Sequence, residues 1–227
     1  MLKRTFYAVI HAHDVAHGYE QALQAIDAGA HGIALIDQHC TAEEVSAIAL
    51  RLKPRLPDRH RLLVNILNED AEVMRIAEEI DCGIWADALT GTLQGCLSQG
   101  LAVDMTVLCG FGFKYQRETD LETGYLLGLA RQYRDTLTKR FVYMTSGRAT
   151  GLAPTSVWLR RLRALIGEDA PLAIASGITP ENIGAYLGQA SCFLVGTAIE
   201  DEEHRILPEK VRAIAEQIGA YNKQCFT

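Results

Sequence analysis

Short apolar runs alternate with amphipathic segments along almost the whole chain. Most of the runs are continuously hydrophobic and of strand length, which is typical of strands buried on both faces of a sheet. Each run is bounded by glycine or by small polar residues. The pattern predicts eight strands, over residues 6–10, 32–36, 62–66, 83–86, 105–109, 141–144, 172–175 and 192–195.

The segments between these runs carry apolar residues at helical spacing, as at Val45, Ile48, Ala49 and Leu52. This spacing places the apolar side chains on one face of a helix. It predicts longer helices over residues 19–28, 42–52, 69–80, 92–98, 121–136, 156–166 and 208–221.

A short eighth helix is predicted between the last two strands. It would begin at Thr179, which is a good N-cap, with Pro180 at the first helical position, and it would end near Gly188. Strands joined by single helices lie parallel, so both flanking turns should fall on the same edge of the sheet.

Eight strand–helix units in series predict an α/β fold, a single-domain (β/α)8 TIM barrel that occupies residues 1–227. An open, doubly wound sheet is the alternative that alternation alone leaves open. The count of eight favours the barrel, and no linker-like stretch divides the chain into two domains.

The turns after the last two strands suggest an anion site. Ser176-Gly177 and Gly196-Thr197 are small, so their backbone N–H groups would be open to a ligand. In (β/α)8 barrels, phosphate often binds between these two loops. The sixth strand ends in a third small-residue loop, from which Arg148 and Gly151 are predicted to contribute to the same phosphate site.

Polar residues at the ends of other strands are candidates for catalysis, because the carboxyl ends of barrel strands face the active site. Asp37 and Asp87 are predicted to act as acid and base, with Lys114 and Asn65 stabilising developing charge. His11 completes this set. Together with Thr145, we expect these residues to open onto one mouth.

His11 and His13 keep a metal-dependent hydrolase as an alternative function. Residues two apart on a strand point the same way, so these two histidines could share a metal ion. Strands 5 and 6 provide no further histidine, and strand 8 ends in Gly196-Thr197 rather than in an aspartate. We therefore expect no tightly bound metal and no other cofactor.

Composition narrows the classes of partner. The net charge of −6 and the pI near 5.6 argue against nucleic acid as a partner. Lys3 and Arg4 precede an apolar run that is too short for a signal peptide or a membrane span. Six scattered cysteines without a C-x-x-C motif indicate reduced thiols, so we expect a cytoplasmic protein. A homo-oligomer is compatible with the sequence.

Several segments resemble, in order, motifs of the BtpA family of barrel proteins. They are AHGIALIDQ at 30–38, VNILNEDAEVMRIA at 64–77, FGFKY at 111–115, TSGRATG at 145–151, SGITPENIGAYL at 176–187 and VGTAIE at 195–200. The family's strand 4 usually reads F-I-R-V-N, whereas this chain has GIWAD at 83–87. The strand 7 and 8 turns also resemble those of phosphoribosylanthranilate isomerase. The resemblance implies a phosphate-binding barrel and gives no reaction.

Three functions follow as hypotheses. The first is an enzyme acting on a small phosphorylated sugar or nucleotide-like metabolite, by isomerisation or by glycosidic-bond chemistry. The second is a non-catalytic binding or assembly factor, as the BtpA family's link to photosystem I biogenesis implies. The third is the metal-dependent hydrolase through His11 and His13.

Overall fold

The computed structural model describes residues 2–56, 58–100, 104–114, 122–136 and 140–225. Eight parallel strands run through these residues. They are β1 (Thr5–His11), β2 (Gly32–Ile36), β3 (Leu62–Asn65), β4 (Gly83–Ala86), β5 (Val107–Gly110), β6 (Phe141–Thr145), β7 (Leu172–Ala175) and β8 (Cys192–Val195).

The strands close into a barrel in sequence order. β1 pairs with β2 on one side, where Ala8 lies opposite Ile33, and with β8 on the other, where Ala8 lies opposite Val195. The predicted TIM barrel is therefore confirmed, and an open sheet with a reversal of strand order is excluded.

Seven α-helices in the described residues surround the barrel. They are α1 (Val15–Asp27), α2 (Ala42–Leu52), α3 (Asp70–Ile80), α4 (Gly91–Ser98), α5 (Glu122–Thr136), α6 (Ser156–Ile166) and α7 (Pro208–Cys225). No helix in the described part of the chain is both long and apolar enough to cross a membrane.

Two apolar layers hold the fold together. The larger one lies between sheet and helices and includes Ile33, Ile48 and Phe193, all fully buried. The smaller one fills the barrel and includes Leu63, Leu108 and Met144. Because the interior is filled by side chains, a ligand can bind only at an end of the barrel.

The helix predicted between the last two strands is the main difference from expectation. Only one 3-10 turn forms there, at Ile183–Ala185. The Asn182 side chain folds back, accepting from the Thr179 N–H at 2.9 Å and donating to the Gly177 carbonyl at 2.7 Å. Glycines at 184 and 188 lower helix propensity further, so the segment remains a compact turn.

The first helix begins earlier than predicted, at Val15 instead of residue 19. Asp14 caps it by accepting the His17 N–H at 2.8 Å. This cap fixes the loop that follows β1, which carries His13.

Candidate functional site

A cavity of about 400 Å³ opens at the carboxyl ends of the strands. Its walls come from the ends of β1, β2, β4, β7 and β8 and from the loops after β3, β5 and β6. They include predicted site residues from both proposed sets: His11, Asp87, Lys114, Gly151, Ser176, Gly177, Gly196 and Thr197. Eight of the predicted site residues therefore lie around one cavity.

A larger depression of about 990 Å³ lies at the opposite end of the barrel. Its two most buried cations are already bound to backbone carbonyls. Arg4 donates to the Leu187 carbonyl at 2.7 Å, and Arg163 donates to the Ala170 carbonyl at 2.6 Å. These contacts tie loops together, and this end of a barrel usually serves stability.

The turn after β7 has an unusual backbone. Ser176 and Gly177 have φ angles of 79° and 71°. A Cβ at Gly177 would lie only 2.0 Å from the Ala153 nitrogen, so only glycine fits there. A serine in the left-handed region is uncommon, and such residues cluster at functional sites.

The turn after β8 presents a second pair of amides to the same cavity. Within the described residues, the N–H groups of Ser176, Gly177, Gly196 and Thr197 donate to no protein acceptor. Thr197 begins a single 3-10 turn that ends at Ile199. A Cβ at Gly196 would lie 2.9 Å from His11 Cε1, so a side chain there would displace the histidine.

Asp87 is the carboxylate at the wall of this cavity. Burial raises its pKa above the ordinary value, and the nearby Lys114 ammonium and the hydrogen bond from Asn65 Nδ2, at 3.5 Å, oppose that rise. The Trp85 indole N–H also lies close enough to lower the pKa, although it completes no hydrogen bond. A half-buried carboxyl with a raised pKa, in a cavity beside a cation, is a candidate acid or base.

Lys114 is held at the cavity by its backbone. Its N–H donates to Ser146 Oγ at 2.9 Å, and its φ angle is 38°. Its ammonium lies 4.7 Å from the centre of the Phe113 ring. The Lys114 charge is close enough to Asp87 to act on the pKa of that carboxyl.

Other predicted site residues lie outside the cavity wall. Asp37 accepts the Leu67 N–H at 2.8 Å and so ties two loops together. Arg148 is exposed to solvent and Asn65 is buried behind Asp87, and neither lines the cavity. Thr145 is fully buried, where it accepts the Trp158 indole N–H at 3.0 Å, so the prediction that it opens onto the mouth is wrong.

Sequence reasoning missed a histidine cluster beside the cavity. Five of the seven histidines lie within ring contact of another histidine: His11, His13, His17, His39 and His204. Glu200, which is buried, joins His11 Nδ1 at 2.5 Å and His204 Nδ1 at 2.6 Å. The signal was available, because β8, β1 and β2 are neighbours in a closed barrel and each is followed by a histidine.

Two of these imidazoles have lowered pKa values. Partial loss of solvent around the ring is the main cause for His39, and the charges that His204, His11 and His13 would carry add to it. Burial and the neighbouring His13 likewise lower the pKa of His17.

No protein-family model and no curated protein matches the chain. Solved structures do match. Phosphoribosyl anthranilate isomerase from Thermus thermophilus is 17% identical, with a TM-score of 0.66 over 95% of this chain and 98% of that chain. 3-Keto-L-gulonate-6-phosphate decarboxylase from Vibrio cholerae is 19% identical, with a TM-score of 0.66 over 96% and 99%. 3-Hexulose-6-phosphate synthase from Salmonella typhimurium is 12% identical, with a TM-score of 0.68 over 96% and 99%. At such identities the likeness establishes the fold alone.

Proposed function

We propose that the protein is an enzyme that acts on a small phosphorylated sugar or a nucleotide-like metabolite. The observation that carries this proposal is the meeting of two glycine turns with Asp87 and Lys114 at one cavity. The turns supply free backbone N–H groups for a phosphate. Asp87 and Lys114, at the same cavity, supply acid–base chemistry.

Each part of the cavity has a separate role in this proposal. The amides of Ser176, Gly177, Gly196 and Thr197 hold the phosphate, and Gly151 leaves room beside them. Asp87 moves a proton at the reacting carbon or oxygen. Lys114 stabilises the negative charge that develops, and Asn65 holds the Asp87 carboxyl in place.

The structural neighbours support the choice of ligand, because each of the three names contains a phosphorylated or phosphoribosyl compound. The resemblance to BtpA motifs, which also implies a phosphate-binding barrel, remains part of this proposal. The reaction is either isomerisation or glycosidic-bond chemistry, because an acid–base group such as Asp87 and a cation such as Lys114 serve both.

The binding half is tested by thermal unfolding with ribulose 5-phosphate, ribose 5-phosphate and fructose 6-phosphate, each against the sugar without phosphate. A ligand at about 100 times its Kd stabilises the fold by about 2.7 kcal/mol. Thr197→Asp places a like charge at the site on an exposed side chain and should abolish this protection. Thr197→Asn is the matched neutral control and should keep it. Equal protection of both variants would contradict the proposed site.

The catalytic half is tested by turnover of the same compounds. Asp87→Asn should lower kcat by a factor of about 10² or more, the usual contribution of a general acid or base, while protection by ligand persists. If ligands protect the protein but none of them is turned over, the proposal of an enzyme is contradicted and the non-catalytic binding factor is favoured.

A further inference from the structure

The histidine cluster adjoins the proposed phosphate site without being needed for it. His11 is the last residue of β1, His13 lies in the next loop, His39 comes after β2, and His204 lies after β8. Three neighbouring strands thus each direct at least one imidazole to the same rim of the barrel. A role for this cluster does not rest on the proposed function.

The distances from the His204 ring to the other three rings are close to those between imidazoles around one metal ion, and the candidate ligand atoms of His11, Glu200 and His204 all lie within 4.8 Å of one another. A metal-bound imidazole has its ring centre roughly 3.2 Å from the ion, so two rings at a tetrahedral angle are about 5.2 Å apart. The His204 ring centre lies 5.2 Å from His11, 5.3 Å from His13 and 4.9 Å from His39. His13 and His39 are 5.6 Å apart, and His11 and His39 are 6.3 Å apart.

Glu200 orients two of these rings. Its two carboxylate oxygens meet the Nδ1 atoms of His11 and His204 at 2.5 and 2.6 Å. Each Nδ1–H then donates to the carboxylate, which leaves the Nε2 lone pair of both rings available. A carboxylate behind a histidine is the usual outer-shell partner of a metal ligand.

The segment that carries Glu200 and His204 is held firmly. Glu200 pairs with Ile206 in an antiparallel bridge, and the Ile206 N–H donates to the buried Gln21 side chain at 2.7 Å. His204 has a φ angle of 57°, in the left-handed region that glycine or asparagine adopts more readily. The fold accepts a strained backbone where it presents this ring.

A purely structural role accounts for only part of the histidine cluster. Holding the segment 200–206 in place requires only Glu200 with His11 and His204. Within the described residues, the rings of His13 and His39 have no protein hydrogen-bond partner, yet both are exposed beside His204. The structural bridge does not require these two imidazoles, whereas a metal site can use both, because their ring centres lie 5.3 and 4.9 Å from that of His204.

We propose that His11, His13, His39 and His204 form a binding site for one divalent transition-metal ion of the zinc class, with Glu200 orienting His11 and His204 from the outer shell. An all-imidazole set suits Zn²⁺, Co²⁺, Ni²⁺ or Cu²⁺ and not Mg²⁺ or Ca²⁺. This proposal reverses the expectation that no metal is tightly bound. That expectation did not take His204 and Glu200 into account as partners of His11. The ion would lie at the wall of the cavity, since His11 also lines it.

The test uses protein without a polyhistidine tag, stripped with chelator and titrated with Zn²⁺ and with Co²⁺. We expect one equivalent of zinc by elemental analysis, a sub-micromolar Kd, and the visible absorption of tetrahedral Co²⁺. His204→Asn, which suits a left-handed backbone, should weaken binding by a factor of about 100, and Glu200→Gln by about 10–100.

His60→Gln is the matched control, because His60 lies outside the cluster and bonds to Thr106 Oγ1 at 2.9 Å. It should bind zinc as the parent protein does. Failure of the untagged parent to take up an equivalent of either ion would overturn the proposal, and so would equal affinities of His204→Asn and His60→Gln. Thermal unfolding with the sugar phosphates is repeated in the presence of chelator. This measurement separates failure of the metal site from failure of the phosphate site.

Discussion

Two aspartates that look equivalent in the sequence have different surroundings in the fold. Asp37 and Asp87 each follow a buried strand by one residue. The Asp37 carboxylate accepts a hydrogen bond from the Leu67 N–H, whereas Asp87 lies at the cavity with a raised pKa. The sequence predicts that both come after strands, but the partner that each carboxylate finds depends on neighbouring loops far away in the chain.

Asp87 should make stability depend on pH. Because its pKa is raised in the folded state, its favourable contribution is complete below the ordinary pKa of 3.8 and is lost as pH rises through the raised value. The parent should therefore lose stability relative to Asp87→Asn as pH rises. Urea unfolding of both proteins between roughly pH 3.5 and 7.5 measures this difference. Parallel stability curves would mean that burial does not raise the pKa.

At the scale of elements, periodicity predicted the long helices and continuous apolar runs predicted the strands. Strands β2, β4, β7 and β8 begin and end at the predicted residues. The turn after Thr179 differs because Asn182 bonds back to Gly177, which is a side-chain contact that helix propensity does not report. The segment 200–206 was also missed, since a single antiparallel bridge leaves no periodic pattern.

The attachment of this segment to α1 should contribute measurably to stability. In Gln21→Met, the buried Ile206 N–H would lose its acceptor, which costs about 1–3 kcal/mol. Gln24→Met, on the same helix, removes only an exposed contact to Glu20 and should change stability by less than about 0.5 kcal/mol. The comparison is made by urea unfolding. Similar losses in both variants would show that the Gln21 contact is not specific.

At the scale of the whole molecule, eight strand–helix units were enough to predict the closed barrel. Closure also explains what the sequence could not reveal about the site. His11 and Glu200 are 189 residues apart and meet only because β1 pairs with β8. The phosphate turns were predictable because each one is local, whereas the histidine cluster depends on contacts between the two ends of the chain.

The proposed function depends on phosphate binding at the carboxyl ends of β7 and β8. A crystal structure with ribulose 5-phosphate tests it directly, because the barrel has a second depression at the other end, near Arg4 and Arg163. We expect phosphate oxygens within roughly 2.7–3.2 Å of the amides of the Ser176 and Gly196 turns. A phosphate found at the opposite depression instead, or a cavity without ligand at saturating concentration, would contradict it.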